Sequence, residues 1–303
     1  MPDVHERPAD AAQTFEPLRK HLMSIAYRML GSVSEAEDIV QDAYLRWHGT
    51  EREGVHNPRA FLTKTVVHGC LDHLKSARAQ RERYVGAWLP EPLLTDPFPV
   101  GMDDSESHAA DVQPALLLAL ERLSPLERAA FLLHDIFEME FAEIADMLGR
   151  TVTACRQLAV RARRNLQAAQ PRYTVSQTEG QRIADAFFDA SRSGDLATLQ
   201  SLLAETVVIY MDGGGRAKAT LNPIHGRDRV LRLFSALARK AGHALPPLLY
   251  QGRINGLPGF VSVENGPILQ TTAVEIRDGL ITALYIVRNP DKLAHLRARL
   301  SET

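Results

Sequence analysis

The sequence predicts a multi-domain chain: two all-α domains, the second with a helix-turn-helix, followed by an α+β domain. Three observations predict it. Apolar residues recur at helical spacing over 15–84 and again over 115–169. A proline-rich break at 88–114 and a second linker at 171–178 interrupt that pattern. Beyond the second break, two helical stretches give way to runs of alternating, β-branched character. The domains are accordingly set at 14–86, 115–172 and 177–300, with a linker at 87–114.

In the first domain Leu18, Leu22, Ile25, Ala26 and Met29 share one helix face, and Ala36, Val40, Ala43, Tyr44 and Trp47 share another. Ser34, before Glu35, Glu37 and Asp38, reads as the N-cap of the second helix. Asn57-Pro58 reads as cap and first turn of a third helix, over about 58–83. The linker is stiff at its start, with Pro90 and Pro92, and acidic toward its end. In the second domain Ser124-Pro125-Leu126-Glu127 has the form of a capping box. Residues 138–166 read as helix, turn at Leu148-Gly149-Arg150, helix. In the third domain helices are expected over 179–193, 196–203 and 227–240. Strands are expected over 206–211, 248–254, 260–264, 271–277 and 281–287, with Asp278-Gly279 turning the last hairpin. A sheet preceded by helices indicates an α+β domain.

Composition excludes little. With 35 basic and 37 acidic side chains the net charge is −2, so any nucleic-acid role rests on where the charge lies. Cys70 and Cys155 are too few for a disulfide framework and fit a reducing cytoplasm. No apolar run approaches membrane-spanning length and the start of the chain is polar, so a cytoplasmic location and no membrane partner are expected. No cofactor is expected. His68, Cys70, Asp72 and His73 do not share one helix face, which argues against a metal site.

The charge is segregated. No acidic residue lies between Asp146 and Glu179, while Arg150, Arg156, Arg161, Arg163, Arg164 and Arg172 all do. Ile144, Ala145 and Leu148 on the first helix of the pair, and Val152, Cys155, Ala159, Ala162 and Leu166 on the second, form the expected buried stripe. Thr153, Arg156, Gln157, Arg161 and Arg164 face outward, where they can read base edges and hold phosphates. A second basic stretch, Lys75, Arg78, Arg81 and Arg83, is by charge alone equally a solvated helix end.

Two motif sets occur in order. The stretch Leu30-Gly31-Ser32-Val33-Ser34-Glu35-Ala36-Glu37-Asp38-Ile39-Val40-Gln41-Asp42-Ala43-Tyr44-Leu45-Arg46-Trp47 and the later Leu71-Asp72-His73-Leu74-Lys75-Ser76-Ala77-Arg78 resemble domain two of RNA polymerase sigma factors. Leu123-Ser124-Pro125-Leu126-Glu127-Arg128 and the helix-turn-helix resemble domain four. No middle domain lies between them, as in the extracytoplasmic-function class. The resemblance implies that core RNA polymerase and promoter DNA are the partners. Asp38, Gln41, Asp42 and Arg46 would face the polymerase clamp, and Lys75, Arg78 and Arg81 the DNA near the −10 element. A pocket for the melted base would lie between Trp47 and Pro58. Arg156, Gln157 and Arg161 would contact the −35 element, with Thr153 on the same face and Arg150 and Arg164 on phosphates.

Trp88-Leu89-Pro90-Glu91-Pro92-Leu93, Asp212-Gly213-Gly214-Gly215 and Asn289-Pro290-Asp291-Lys292-Leu293 resemble a subgroup with a SnoaL-like C-terminal domain, a cone-shaped α+β barrel. The subgroup's glycine motif ends in Lys, where this chain has Arg216. The resemblance implies control of the sigma part in cis, no separate anti-sigma factor, and regulatory roles for Trp88, Pro90, Asp212, Gly213, Gly214, Gly215, Asn289, Pro290, Asp291 and Lys292. From the residues alone, the glycines are either a turn or a close approach to the linker, and Asn289-Pro290-Asp291 reads as a helix N-cap. Tyr210, Asp212, Tyr250 and Tyr285 could line a cavity for a small ligand. No catalytic residue is assigned. Two other functions remain open at this point: a ligand-sensing helix-turn-helix regulator, and a SnoaL-like isomerase or cyclase fused to a DNA-binding module.

Overall fold

The computed structural model describes residues 7–51, 54–81, 84–95, 113–166, 176–241, 246–264 and 267–301. The chain forms two compact units, Met1–Glu82 with Ala115–Gln170, and Arg83–Pro114 with Pro171–Thr303.

The first unit is helical. Helices α1 (Arg7–Leu30), α2 (Val33–Gly49) and α3 (Pro58–Arg81) pack around Leu22, Ile25, Met29, Val40, Trp47, Leu62 and Val66, all essentially inaccessible. Trp47 buries its ring there and donates its indole N–H to the Ala11 carbonyl at 3.2 Å. The cap of α2 is Ser32, one turn residue after Gly31, whose φ of +70° reverses the chain. Ser32 Oγ accepts from Glu35 N at 3.2 Å, so Ser34 is already helical and does not cap. Asn57 caps α3 as expected, its Oδ1 accepting from Ala60 N at 3.0 Å.

Helices α4 (Pro114–Leu120) and α5 (Pro125–Phe131) follow, with the reciprocal Ser124–Glu127 capping box between them. A π-helical turn, Leu132–Ile136, extends α5. Helix α6 (Phe141–Leu148) starts three residues later than the sequence pattern places it. Glu138, at φ +55°, breaks the backbone, and Glu140 with Glu143 makes a second capping box. Helix α7 (Val152–Leu166) completes the pair. The two helical domains meet through specific contacts. Arg128, nearly fully buried, donates to the Met29 carbonyl at the end of α1 (2.6 Å) and pairs with Glu121 (2.9 Å). His68 on α3 meets the Met147 carbonyl of α6 at 2.6 Å.

The second unit carries one seven-stranded sheet, ordered β1-β4-β5-β6-β7-β2-β3. Its strands are β1 (Leu94–Thr95), β2 (Leu203–Asp212), β3 (Ile224–His225), β4 (Leu248–Ile254), β5 (Leu257–Glu264), β6 (Ile268–Arg277) and β7 (Leu280–Val287). Among the described residues only β2 and β7 pair in parallel. Helices α8 (Gln177–Ser193), α9 (Leu196–Leu202) and α10 (Arg227–Ala241) cover one face, and α11 (Ala294–Ser301) ends the described chain. Phe187, Val207, Ile209, Phe234, Phe260, Val274 and Leu284 close the core between helices and sheet. Two hairpins whose turns lie among the described residues use a left-handed residue followed by Gly: Asn255-Gly256 (φ +50°, +75°) and Asp278-Gly279 (φ +52°, +75°).

Residues 84–95 belong to this second unit. Leu94 and Thr95 pair antiparallel with Ile254 and Arg253, so the linker supplies the edge strand β1. A two-residue strand with prolines just upstream carries no periodic signal of its own, which is why the sequence pattern shows only a linker there.

Candidate nucleic-acid interface and linker clamp

Gly149, at φ +61°, lets α6 end and α7 begin almost at once, and Thr151 Oγ1 caps α7 by accepting from Ala154 N at 3.2 Å. Cys155, Leu158, Ala159, Ala162 and Leu166 are buried; Val152 and Leu148 are only half-buried, and Met147 takes the inner place on α6. Arg150, Thr153, Arg156, Gln157, Arg161 and Arg164 are exposed. They form a polar, cationic face of the kind that sits in a major groove. Two cations are turned back onto their own domain. Arg161 Nε pairs with Glu127 at 2.9 Å and Arg163 Nε with Asp135 at 2.7 Å. Burial works against the Glu127 carboxylate, but Ser124 and Arg161 outweigh it and hold its pKa below the usual range. The Arg156 guanidinium lies 5.8 Å from the centre of the Phe141 ring, which braces it at the helix entrance.

On α2, Asp38, Gln41, Asp42 and Arg46 are all exposed, opposite the buried stripe Val33, Ala36, Val40, Ala43 and Trp47. Leu45 stands among them with 59% of its surface exposed. The resemblance does not select Leu45. Its signal in the sequence is phase: it is an apolar residue off the buried stripe.

On α3, Lys75 is exposed and pairs with Asp72 at 2.8 Å. Arg78 and Arg81 occupy the last turns of α3, and their side chains lie outside the described residues. Arg83, Arg172 and the acidic end of the linker also lie outside them, as does part of the segment between Trp47 and Pro58. The four residues weighed as a metal site take separate partners. His68 meets the Met147 carbonyl, Asp72 meets Lys75, and His73 lies 3.0 Å from Glu35. Cys70 is buried, which pushes its thiol up to about 12.

The residues assigned to regulation converge in the second unit. Asp212, at the end of β2, is fully buried. Its carboxylate accepts from Tyr84 Oη (2.5 Å), Leu89 N (2.8 Å) and Lys292 Nζ (2.8 Å). Lys292 also donates to the Leu89 carbonyl, and its ammonium lies 4.1 Å from the Trp88 ring centre and 4.9 Å from that of Tyr84. Both backbone groups of Leu89 are thus held by opposite charges. The same pattern recurs at Leu93. Its N–H donates to Asn255 Oδ1 (2.9 Å) and its carbonyl accepts from Asn255 N (2.8 Å). Pro90 is buried between them, and the Pro92 carbonyl meets His295 Nε2 at 2.8 Å.

The glycine run lets this happen. Gly214 has φ +56°, and a Cβ there would fall 2.2 Å from Asn289 Nδ2 and 2.9 Å from Tyr84 Oη. Gly213 could not carry a Cβ either, which would fall 2.1 Å from the Ala217 carbonyl oxygen. The close approach is to Tyr84, Val85 and Asn289, so the glycines serve both as a turn and as a contact with the linker. Asn289 donates to Tyr84 Oη at 2.9 Å. Asn289-Pro290-Asp291 does not cap a helix. Asn289 Oδ1 accepts from Asp291 N at 3.1 Å in a local turn, and α11 begins only at Ala294. That turn frees Asn289 and Lys292 to face the linker. Arg216 points elsewhere and makes an exposed pair with Asp291 at 3.4 Å. Burial and the hydrogen bond to Asp212 raise the pKa of the Tyr84 phenol, so it stays a donor. Tyr84, Asn255 and His295 have no place in the motifs of the sequence, and Leu89 lies within the Trp88–Leu93 motif without being assigned a role. Asn255-Gly256 is a hairpin signal that the strand pattern overlooked, and the other three act through backbone or a single polar tip.

Tyr210 and Tyr285 stack at 5.4 Å between ring centres, and Tyr285 donates to Glu275 at 2.7 Å. Tyr250 Oη accepts from Arg253 N at 3.2 Å. These tyrosines therefore take different partners, and Asp212 faces the linker. Among the described residues, no cluster of His, Cys, Asp or Glu could hold a metal ion and no helix is long and apolar enough to cross a membrane.

Residues 14–80 match the Sigma-70 region 2 family and residues 114–166 match Sigma-70, region 4. The ECF RNA polymerase sigma factor SigJ of Mycobacterium tuberculosis is 40% identical, over 92% of this chain and 91% of its own. The probable ECF RNA polymerase sigma factor SigI of the same organism is 33% identical, over 93% and 94%. The crystal structure of the M. tuberculosis extracytoplasmic function sigma factor SigJ superposes with a TM-score of 0.74 at 37% identity, covering 93% of this chain and 98% of that one. A likeness that runs through the α+β domain as well as the DNA-reading helices leaves one conclusion: the chain as a whole belongs to the ECF RNA polymerase sigma factors, which bind core polymerase and direct initiation at specific promoters.

Proposed function

We propose that the α+β domain controls this sigma factor in cis by gripping residues 84–95, the first part of the connector between domains two and four. The observation that carries this reading is the Lys292–Asp212 pair closed around Leu89, between the rings of Trp88 and Tyr84. The −10 and −35 elements are about 25 base pairs apart, or about 85 Å of duplex. The connector, free from end to end, reaches about 105 Å; gripped, it leaves about 18 residues and about 60 Å to extend freely. Grip and release therefore change what the connector can do. A clamp within the chain also removes the need for a separate anti-sigma factor.

In this reading Arg150, Thr153, Arg156, Gln157 and Arg164 engage the −35 element, with Arg161 available once Glu127 yields it. Asp38, Gln41, Asp42 and Arg46, joined by Leu45, face the polymerase clamp. Lys75, Arg78 and Arg81 approach the −10 region. The α+β domain acts as a regulator and catalyses nothing.

Reconstituted transcription with core polymerase tests the proposal. Full-length protein, protein cut after Arg172 and Lys292→Met are compared on one cognate promoter. The two altered forms are expected to shift output in the same direction. Equal output from all three forms would overturn control through the clamp.

A further inference from the structure

The helix-facing side of the sheet is apolar along most of its length, but polar at one end. Ser262 and Glu264 on β5, Gln270 and Thr272 on β6, and Arg288 just past β7 lie there, with Arg192 in the last turn of α8. The register puts Ser262 opposite Gln270 and Phe260 opposite Thr272, so the polar row borders the aromatic core directly. Ser262 is fully buried, and Gln270, Thr272 and Arg192 are at most 9% exposed. Gln270 Nε2 donates to Thr272 Oγ1 at 3.2 Å, which satisfies that pair locally.

The charges do not balance. Arg192 Nη2 pairs with Glu264 Oε1, and Ser262 Oγ donates to the same oxygen at 2.7 Å. Arg288 gives Nη1 to the Lys218 carbonyl at 2.6 Å. Two guanidinium groups thus lie in the field of one carboxylate, which pairs directly with Arg192 alone. The Nε–H of Arg192 and the Nε–H of Arg288 are both buried without an acceptor. A buried charged donor with no partner is costly, and native proteins rarely keep two that feel each other's charge without a use. Burial lowers the pKa of both arginines below the ordinary value, and Arg192 depresses Arg288 further.

We propose that this cluster binds a small organic monocarboxylate. Two orphaned Nε–H donors match the two oxygens of one carboxylate. One surplus positive charge matches a monoanion better than a phosphate dianion. The organic part has an apolar wall beside it: the Arg192 guanidinium lies 5.7 Å from the Phe188 ring centre, and Phe188 meets Phe260 edge to face at 4.8 Å. The site is joined to the clamp through the backbone. Arg288 N donates to the Asp212 carbonyl at 2.7 Å and Asn289 N to the same oxygen at 3.0 Å, while Asn289 holds Tyr84. A ligand that draws the Arg288 side chain therefore acts on the strand end that grips the linker. The binding site stands on its own geometry; only its regulatory consequence rests on the cis-control reading.

The test is calorimetric titration of the full-length protein with benzoate and acetate at fixed ionic strength, beside benzamide as a neutral isostere and inorganic phosphate. Saturable binding of benzoate or acetate is expected at or below about 10 mM, with none for benzamide. Arg288→Gln should weaken binding about tenfold or more, and Glu264→Gln, which removes the competing carboxylate, should tighten it severalfold. Opposite shifts from the two variants cannot come from misfolding. The proposal is overturned if neither carboxylate binds saturably, if phosphate binds more tightly than both, or if folded Arg288→Gln binds as the parent does. Binding that leaves reconstituted transcription unchanged would support the site and remove its coupling to the clamp.

Discussion

Replacing Lys292 by methionine keeps most of the side-chain length and removes the charge together with the N–H donors to Asp212 and the Leu89 carbonyl. Lys292 is 9% exposed and its partner Asp212 not at all. Removing one member of a buried ion pair costs about 3–5 kcal/mol, because the other charge is left without compensation. The lost contacts to the Trp88 and Tyr84 rings are part of that figure, at roughly 0.5–2 kcal/mol. Asp212 keeps two donors, Tyr84 Oη and Leu89 N, so the lower end, about 3 kcal/mol, is the better expectation. At 1.4 kcal/mol per tenfold, that is about a hundredfold rise in opening of the gripped segment. Hydrogen exchange at the Leu89 and Leu93 amides reads it directly, since their acceptors belong to Asp212 and Asn255. The chain has two tryptophans, so emission from Trp88 should move while Trp47, buried in the helical unit, does not. The double variant Asp212→Asn, Lys292→Met should regain part of the loss, since no charge is then stranded. A folded Lys292→Met protein with unchanged Leu89 protection and unchanged Trp88 emission would refute the reasoning.

Gly214→Ala should loosen Tyr84 and Asn289 and destabilise the second unit by more than Gly279→Ala does. Both positions have positive φ, costing roughly 1 kcal/mol each, but only at Gly214 would the new Cβ collide; equal losses in urea unfolding would contradict this. Arg156→Ala should cost about 1–3 kcal/mol of discrimination between a native and a scrambled −35 element if the contact is bidentate, and the ratio of transcripts from the two promoters measures it. Leu45→Asp should weaken binding to core polymerase about tenfold or more while leaving the unfolding midpoint unchanged, because Leu45 is 59% exposed in the free protein. His21 packs edge to face against Phe137, and burial, helped by Arg59 and Arg28, lowers its pKa to about 4. Its folded pKa lies below the unfolded value of about 6.5, so its contribution is present above pH 6.5 and lost as pH falls toward 4. Urea midpoints across that range should drop for the parent and drop less for His21→Gln; parallel curves would remove His21 as the cause.

The parts legible in the sequence are those where one local rule dominates. The helix-turn-helix is readable because Gly149, the buried stripe of α7 and the arginine stripe all agree. The hairpin at Asp278-Gly279 is readable because β7 and β6 flank it with clear alternation. Legibility fails where a long-range contact decides. Ser32 caps α2 in place of Ser34 because Gly31 turns one residue early, and two serines that close look alike in sequence. The exposure of Leu45 depends on where α1 and α3 lie, and the Arg161–Glu127 pair on how α5 crosses α7. Most of the clamp is of this kind. Tyr84 and Asn289 are separated by 205 positions and Lys292 and Leu89 by 203, so nothing local marks them as partners. The resemblance selected Asp212, Asn289 and Lys292 but could not say what each one touches.

The chemistry of the clamp fits a contact that can open. An apolar plug would hold a linker at least as well as a buried ion pair, since desolvating two charges consumes most of what their attraction returns. What the charged version adds is recognition of backbone. Leu89 offers its N–H to Asp212 and its carbonyl to Lys292, and four residues on Leu93 offers the same two groups to Asn255. Between them Pro90 and Pro92 have no N–H to satisfy and keep the segment extended. The domain thus grips the linker at two peptide units by their polarity, with proline fixing the distance between the grips. Such a grip tolerates substitution of the linker side chains that point away, but not a loss of extension. It also fails as a unit, because releasing Leu89 takes one backbone partner from each member of the buried Asp212–Lys292 pair at once. A domain that holds its linker this way is either closed or open, with little between.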